Sequence, residues 1–372
     1  MQQTISARDA SQKLLAWYDR HHRDLPWRVS PPMAKAGVTA DPYHVWLSEV
    51  MLQQTTVQAV KPYFHKFLSL WPRVSNLAAA DTEEVMKAWA GLGYYARARN
   101  LKKCAEVVAR EHGGIFPDSE DGLKALPGIG DYTAAAIAAI AFNRRSAVLD
   151  GNVERVISRL DRIETPLPAA RTQMRARVGE MTPAGRPGDF AQGMMDLGAT
   201  ICTPKRPACA LCPLNHGCLA FRAGDQEDFP KKPVKKARPL RVGAAFVASR
   251  ADGAVYLRKR AEDGLLGGMT EVPGTAWTAR KDGGITLDAR PFEGDWEDCG
   301  TISHVFTHFE LRLSVYRAEV CARNDSANGW WEPLASLEAQ ALPTVMKKAI
   351  ARALPHAFSS AISPSVNEGT PE

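Results

Sequence analysis

The chain has 372 residues, of which 45% are hydrophobic and 24% are charged, and this length is enough for two domains that each bury a core. No stretch approaches the roughly 18 apolar residues that cross a bilayer, so the sequence predicts a cytoplasmic protein without a membrane partner. A net charge of +6 and a pI of about 8.9 favour a polyanionic partner such as nucleic acid, although an ordinary basic enzyme fits these values as well.

Residues 1–222 carry apolar residues at helical spacing almost throughout, with breaks at Gly and Pro. Clear examples after the N-terminal amphipathic segment are DPYHVWLSEVMLQQTTV, TEEVMKAWAGLG, YARARNLKKCAEVVAREHGG, DYTAAAIAAIAF and GNVERVISRLDRI. The sequence therefore predicts an all-α domain over 1–222. The segment MAKAGVTA, residues 33–40, interrupts this pattern and suggests no role by itself.

The stretch LPGIGDYTAAA, residues 126–136, places Gly128 and Gly130 directly before a predicted helix. Glycines permit tight backbone angles and remove side chains, so amide groups at the helix start can approach an anion. A helix-hairpin-helix motif holds a DNA phosphate in this way, although a tight turn without a ligand fits these residues equally well. Twenty residues further on, VLDGNVERV places Asp150 just before another predicted helix.

Four of the seven cysteines are crowded into one short segment. They are Cys202, Cys209, Cys212 and Cys218. In a reducing cytoplasm this crowding indicates a metal site rather than disulfides. Structural zinc usually takes two close pairs of ligands, whereas only one such pair is present here. Four thiolates on one loop therefore favour a [4Fe-4S] cluster, with structural zinc as the alternative.

The composition changes beyond residue 222. Residues 223–239 are rich in Lys, Arg and Pro and predict an extended linker. After it, RVGAAFVASRADGAVYLRKR predicts two strands joined by an Asp-Gly turn, and LRLSVYRAEV alternates like a further strand. We expect a smaller α/β domain over 240–355 and a disordered tail over 356–372.

These motifs in combination resemble one superfamily of DNA repair enzymes. The glycine turn, Asp150 and the cysteine cluster are similar to the helix-hairpin-helix DNA glycosylases that carry an iron–sulfur cluster, the endonuclease III superfamily. Within it, LPWR, WLSEVMLQQT, GLGYYARARN, LDGNV and MMDLGATIC closely resemble the adenine DNA glycosylase, or MutY, family. The resemblance is dense from Leu25 to Cys218 and looser beyond about residue 240. It implies a multidomain fold, an all-α glycosylase domain with a [4Fe-4S] loop followed by an α/β Nudix-like domain.

The resemblance also implies an activity, the removal of adenine mispaired with 8-oxoguanine or guanine in double-stranded DNA to leave an abasic site. Lyase-type relatives carry a lysine where this chain has Tyr132, and a phenol cannot form the Schiff base that leads to strand cleavage. Some adenine glycosylases carry a lysine after DGNV that can be trapped on DNA incidentally, and this chain has Glu154 at that position. We expect a monomeric, monofunctional enzyme associated with a bacterial nucleoid. A lyase acting on oxidised pyrimidines and a non-enzymatic iron–sulfur DNA-binding protein are the alternatives.

Breaking an N-glycosidic bond requires an acid that protonates the leaving base and a carboxylate that faces the sugar cation. By resemblance, Glu49 is the acid on adenine N7 and then the base for water, and its apolar surroundings predict a raised pKa. Asp150 either stabilises the cation or attacks it. Tyr132 and Asn152 match positions that support this pair through hydrogen bonds.

The target adenine must leave the duplex before an acid can reach N7. The resemblance assigns the adenine pocket to Trp27, Arg28 and Gln192. It assigns contacts with the opposite base and the base stack to Gln54, Thr55, Leu92 and Tyr94. In the second domain, HVFTHFEL supplies Phe306, Thr307 and His308 where the family carries a Phe-Ser-His loop that inspects 8-oxoguanine. Because this domain lacks the Glu-rich Mg²⁺ motif of Nudix hydrolases, we expect no nucleotide hydrolysis.

Overall fold

The computed structural model describes residues 5–233, 237–261, 264–321 and 329–358. The chain divides into two compact units, the first formed by Met1–Ala80 and Asn100–Lys235 and the second by Asp81–Arg99 and Lys236–Glu372. Of the tail predicted over 356–372, Ala357 and Phe358 are buried in the core of the second unit, and the rest from residue 359 onward lies outside the described residues. None of the helices in the described ranges is long and apolar enough to cross a membrane.

Helices occupy most of residues 7–223, as the apolar spacing predicts. In chain order the helices of the molecule are α1 (Ala7–His21), α2 (Pro31–Lys35), α3 (Pro42–Leu52), α4 (Val57–Leu70), α5 (Val74–Ala79), α6 (Thr82–Trp89), α7 (Ala96–Glu111), α8 (Glu120–Lys124), α9 (Asp131–Phe142), α10 (Gly151–Leu160), α11 (Arg171–Met181), α12 (Pro187–Thr200), α13 (Leu219–Ala223) and α14 (Thr344–Ala353). The segment 41–57, which the sequence predicts as continuously helical, is interrupted after Leu52. Gln54 adopts a left-handed φ of 60°, and Thr56 starts α4 by accepting the N–H of Ala59.

Close backbone packing positions α12 against two other helices of the first unit. A Cβ added to Gly188 would lie 2.6 Å from the carbonyl oxygen of Ala139 on α9. A Cβ added to Gly198 would lie 2.6 Å from the Cβ of Asn152 on α10. The glycines therefore let α12 approach both helices more closely than any side chain would allow, beside a core that includes the fully buried Phe190.

The predicted linker over 223–239 begins with a packed segment. Phe229 is 2% exposed, and its carbonyl oxygen accepts a hydrogen bond from Nε of Arg159 at 3.2 Å. The carbonyl oxygen of Lys231 accepts the N–H of Leu167 at 2.9 Å. Residues 226–231 therefore belong physically to the helical unit, whereas residues 234–236 lie outside the described ranges.

A six-stranded mixed sheet forms the centre of the second unit. Its strands are β1 (Leu240–Ser249), β2 (Val255–Lys259), β3 (Thr270–Glu271), β4 (Glu297–Val305), β5 (Glu310–Glu319) and β6 (Gly329–Glu332). The order is β3-β2-β1-β5-β4, with β6 also pairing with β2. The antiparallel β1–β2 hairpin and strand β5 confirm the strands predicted from the sequence. Strands β1 and β5 pair in parallel, which the sequence did not predict. Helix α14 packs on one face of the sheet, and the described residues between β3 and β4 contain only a short 3₁₀ turn at Leu287–Ala289.

Candidate active site

Glu49 is a buried acid on α3. The helix is buried along its whole second half, from Val45 to Met51, and Glu49 is only 6% exposed. Its Oε2 atom accepts a hydrogen bond from the hydroxyl of Tyr132 at 2.6 Å. Burial raises the pKa of Glu49 to about 7, against the opposing effect of the Tyr132 hydrogen bond. The side chain can therefore carry a proton near neutral pH, as its apolar surroundings predict.

Tyr132 lies in the first turn of α9 and acts as a fixed donor. Burial, and then the negative charge of Glu49, raise the pKa of the Tyr132 phenol well above its usual range. The phenol therefore stays protonated and donates a hydrogen bond to the carboxyl group of Glu49. This contact joins the first turn of α9 to the acid on α3.

Asp150 is the N-cap residue of α10, and both of its oxygens accept hydrogen bonds. Oδ1 accepts the N–H of Val153 at 2.7 Å, and Oδ2 accepts from the Asn152 amide nitrogen at 2.9 Å. The N-terminus of a helix favours a negative charge at this position. The carboxylate is thus held in one orientation by its own helix.

Arg155 extends this arrangement and was missed by the sequence analysis. One of its terminal nitrogens, Nη2, donates to Oδ1 of Asn152 at 2.9 Å and to the carbonyl oxygen of Gly198 at 2.6 Å. Its Nε donates to the carbonyl oxygen of Cys202 at 2.6 Å. The i, i+3 spacing from Asn152 was the available signal, because residues three apart share a helix face. A single guanidinium therefore joins α10, the end of α12 and the first clustered cysteine.

These residues line one cavity of about 790 Å³ in the first unit, a volume typical of small-molecule sites. The sequence-predicted residues in its lining are Trp27, Arg28, Glu49, Gln54, Thr55, Tyr132, Asp150, Asn152 and Gln192. The lining contains no lysine among the described residues. The structure thus brings the predicted catalytic and adenine-pocket residues together, whereas Gly128 and Gly130 do not line the cavity.

Arg28 is held in the wall of this cavity by Asp196, a second residue that the sequence analysis did not single out. Its Nη1 donates to both carboxylate oxygens of Asp196, at 2.9 and 2.7 Å, and the Asp196 side chain is fully buried. Arg23 donates to the same carboxylate through Nε at 2.5 Å. A carboxylate in the apolar run MMDLGA was the available signal, because a buried charge requires a partner. The orientation of Arg28 is therefore fixed.

The glycine turn before α9 has the features of an anion site. Gly128 has a φ of +75°, and a Cβ there would lie 2.6 Å from the Cβ of Asn100. Gly130 has an ordinary φ of −94°, so only Gly128 requires glycine for its backbone angles. Gly130 is the N-cap residue of α9 and makes no side-chain capping hydrogen bond. A Cβ added to Gly130 would have no heavy atom of the surrounding residues within 4 Å, so the space beside it is open. The first amide groups of α9 are therefore accessible to a phosphate.

The four clustered cysteines line one small cavity beside α10. Arg159 connects two of them, because its Nη1 lies 3.4 Å from Sγ of Cys202 and its carbonyl oxygen accepts from Sγ of Cys218 at 3.3 Å. Burial raises the pKa of Cys212 to about 12 and that of Cys218 to about 11. In the described ranges, no three His, Cys, Asp or Glu side chains lie close enough together to hold a single metal ion.

In the second unit, residues 306–308 form the turn between β4 and β5. The N–H of Phe306 bonds to the carbonyl oxygen of Phe309 at 2.8 Å, and the two rings stack at 4.7 Å. Thr307 and His308 are exposed. Phe306 therefore anchors the turn by packing, and the polar side chains are presented to solvent.

Residues 91–99 of the segment GLGYYARARN belong to the same unit. Tyr94 has a left-handed φ of 49°, is 48% exposed and places its hydroxyl 3.1 Å from Oγ1 of Thr307. Arg97 lies 5.4 Å from the Tyr94 ring and donates to the carbonyl oxygens of Leu92 and Gly93, each at 3.1 Å. Leu92 is only 6% exposed. The structure therefore brings Tyr94 and Thr307 together and buries Leu92.

Comparisons with known proteins found two family models that match this chain. The model for base excision DNA repair proteins of the HhH-GPD superfamily matches residues 47–180, and the model for the NUDIX domain matches residues 244–352. Human adenine DNA glycosylase is 34% identical over 359 residues, which cover 82% of this chain and 65% of the human protein, slightly less than two thirds of its length. The adenine DNA glycosylase of Buchnera aphidicola subsp. Acyrthosiphon pisum is 34% identical over 308 residues, covering 82% of this chain and 85% of that protein.

A solved thermostable thymine-DNA glycosylase matches with a TM-score of 0.51 and 29% identity, covering 57% of this chain and 95% of that structure. The cavity that contains Glu49 and Asp150 lies in the helical unit, and the sheet lies in the region that the NUDIX model matches. With both domains present and most of a bacterial relative covered, the chain belongs to the adenine DNA glycosylase family.

Proposed function

We propose that this protein hydrolyses the N-glycosidic bond of adenine paired with 8-oxoguanine or guanine in double-stranded DNA. The observation that carries the proposal is the pair of carboxyl groups in one cavity, with Glu49 hydrogen-bonded to Tyr132 and Asp150 held by its own helix. The two carboxyl groups lie in different surroundings, one buried in apolar side chains and one at a helix N-terminus. Such a difference in surroundings suits Glu49 to the role of the acid and Asp150 to the role of the anion.

The reaction follows from these two roles. The flipped adenine enters the cavity, and protonated Glu49 donates to N7, so that the bond between C1′ and N9 breaks with its electrons on the base. The sugar becomes oxocarbenium-like, and Asp150 either stabilises it or bonds to C1′ transiently. Ionised Glu49 then takes a proton from the water whose oxygen bonds to C1′. The products are free adenine and an abasic site.

Base removal without strand cleavage follows from Tyr132. A lyase requires an amine that attacks C1′, and the described lining of the cavity contains no lysine. The phenol of Tyr132 instead holds Glu49 in place. We therefore propose a monofunctional enzyme, acting as a monomer on chromosomal DNA in a bacterial cytoplasm.

The four cysteines fit a [4Fe-4S] cluster by their donor chemistry. They converge on one cavity whose other walls are largely apolar, from Val156, Leu160 and Leu214 among others. Bound there, the cluster would cross-link the loop 202–218 and replace four thiol protons with iron–sulfur bonds. Anaerobically prepared protein should be yellow-brown and contain iron and acid-labile sulfide in roughly equal amounts. Stoichiometric zinc without iron would establish the alternative.

The activity is tested on a labelled duplex with adenine opposite 8-oxoguanine. The strand should break only after alkali treatment, and borohydride should trap almost no protein–DNA adduct. Glu49→Gln and Asp150→Asn should each abolish base removal while duplex binding persists, because phosphate contacts supply most of the affinity. Glu111→Gln, an exposed glutamate at the end of α7, is the matched control. Strand breakage without alkali would favour the lyase alternative.

A further inference from the structure

A second cavity of about 360 Å³ lies in the first unit and shares part of its wall with the active-site cavity. The two shared lining residues are Ile140, at the end of α9, and Gln192, on α12. The opposite wall comes from residues 29–40, which include the segment 33–40 that has no other assigned role. We propose that this second cavity, the rear cavity, is the passage through which the free purine base leaves after bond cleavage. The inference rests on the proposed function.

The reaction itself creates the need for such a passage. The base enters the active-site cavity first, and the deoxyribose, which stays attached to the DNA, follows and occupies the entrance. After the C1′–N9 bond breaks, the base can return through the entrance only when the abasic nucleotide has withdrawn. A second opening removes this dependence and lets the base leave while the abasic DNA stays bound.

Of the two side chains that both cavities share, that of Gln192 is held by a long hydrogen bond. Gln192 is 5% exposed, and its Nε2 donates to the carbonyl oxygen of Gly188 at 3.3 Å, which is long for an N–H···O bond. The backbone around it is tightly packed, since a Cβ on Gly188 would lie 2.6 Å from the Ala139 carbonyl oxygen. A rotamer change of Gln192 would join the cavities without moving a helix.

The rear cavity has the lining of a conduit rather than of a tight site. Much of its wall is small, with Ala34, Ala40, Ala139, Ala141 and Gly185 among the lining residues. The charged residues in it already have partners. Arg186 bonds to Asp189 at 2.7 Å and to Asp19 at 2.5 Å, and Lys35 lies 3.4 Å from Asp19. A neutral planar base can therefore pass without meeting an unpaired charge that would retain it.

The test separates bond cleavage from base release in one sample. Duplex carrying radiolabelled adenine opposite 8-oxoguanine is mixed with excess full-length protein. At each time point an aliquot is divided into two halves. Alkali treatment reports cleavage, and rapid filtration reports base that has left the protein–DNA complex. Ala34→Trp and Val38→Trp fill the rear cavity from its exposed segment. Met33→Trp is the matched control, because Met33 lies on the same segment, is 49% exposed and does not line the cavity.

Wild type and Met33→Trp should release the base as soon as it is cleaved. In the two filling variants, cleavage should keep its rate, whereas most of the base should stay with the complex and reach the filtrate roughly tenfold later or more, when the abasic DNA leaves. Unchanged thermal melting of the variants shows that they fold. Prompt release from both filling variants would overturn the passage while leaving the activity intact. Absence of cleavage by wild type would overturn the proposed function, and the passage with it.

Discussion

At the scale of single residues, we expect the proton on Glu49 to set the pH dependence of the proposed reaction. Burial raises the pKa of Glu49 to about 7, and the Tyr132 hydrogen bond, which favours the ionised form, holds it below the value that burial alone would give. The single-turnover rate should therefore fall as the pH rises through about 7, because the acid loses its proton.

Tyr132→Phe should move this fall in rate, the alkaline limb of the pH profile, to higher pH. The substitution removes the hydrogen bond that stabilises the ionised form of Glu49, so the pKa of Glu49 rises. The measurement is the single-turnover rate of adenine release between about pH 5.5 and 9. Tyr316→Phe, which removes a hydroxyl from the second unit, should leave the limb in place. A limb at the same pH in Tyr132→Phe and wild type would show that Glu49 is not the titrating acid.

The same burial makes Glu49 costly for stability. The folded-state pKa of about 7 lies above the roughly 4.3 of an unfolded glutamate, so the unfolded chain loses its proton first as pH rises. As the pH rises from about 4.5 to 8, the free energy of unfolding of wild type should fall by on the order of 3 kcal/mol relative to that of Glu49→Gln. Urea unfolding at both pH values measures this difference. If the free energies of unfolding of wild type and Glu49→Gln differ by the same amount at both pH values, the pKa of Glu49 is not raised.

At the scale of helices, the contact between α12 and α10 determines how well Asn152 and Asp150 are placed. Gly198→Ala would put a methyl group 2.6 Å from the Cβ of Asn152 and 3.0 Å from its Cα, so α10 has to shift. A displacement of about 1 Å at a catalytic group can reduce the rate on the order of a hundredfold. We expect a large loss of single-turnover rate with little change in duplex affinity.

Gly179→Ala on α11 is the control for this helix effect. Its added Cβ would meet only the Cβ of Ala147 at 3.8 Å, which is an ordinary contact. This variant should keep its rate and gain stability, by up to about 1 kcal/mol from helix propensity. Equal rates in Gly198→Ala and wild type would mean that the spacing between α12 and α10 does not limit catalysis.

Much of this local structure could be predicted, and the exceptions have physical reasons. Asp150 was expected just before a helix because GNVERVISRLDRI carries apolar residues at helical spacing, and α10 does start at Gly151, with Asp150 as its N-cap. The break of the helical pattern at 53–56 was not predicted, because the left-handed φ of Gln54 is not encoded by apolar spacing. Asp196 was missed because its role depends on Arg23 and Arg28, which are distant in sequence and meet only in the fold.

At the scale of the whole molecule, the candidate residues divide by task between the two units. The residues proposed as the acid, the anion and the adenine pocket lie in the first unit. Tyr94 and the turn 306–308 lie in the second, although residue 94 falls within the part of the sequence that matches the HhH-GPD family. The 3.1 Å contact between the hydroxyls of Tyr94 and Thr307 joins two segments that are far apart in sequence. Tyr94 and the turn 306–308 therefore form one surface of the second unit, whereas Gln54 and Thr55, which are also proposed to face the opposite base, line the active-site cavity of the first unit.

Discrimination between 8-oxoguanine and guanine should depend on this surface, because adenine as the leaving base is the same in both pairs. The altered edge of 8-oxoguanine presents one new donor and one new acceptor, which the exposed Thr307 hydroxyl and His308 imidazole can pair with. Losing such contacts costs about 1–3 kcal/mol, or roughly tenfold to a hundredfold in the ratio of rates. Thr307→Val combined with His308→Ala should reduce this single-turnover ratio by that factor.

Excision opposite guanine should stay nearly unchanged in the double variant, since the catalytic groups of the first unit are untouched. Thr307→Val keeps the shape of the side chain, and Phe306 still anchors the turn through its stacking on Phe309. Val305→Ala is the matched control, because Val305 is 56% exposed on the same hairpin and carries no polar group. If the ratio of rates in the double variant equals that of wild type and Val305→Ala, the turn does not read the opposite base. Recognition would then have to come from residues around the active-site cavity, with Gln54 and Thr55 as the first to test.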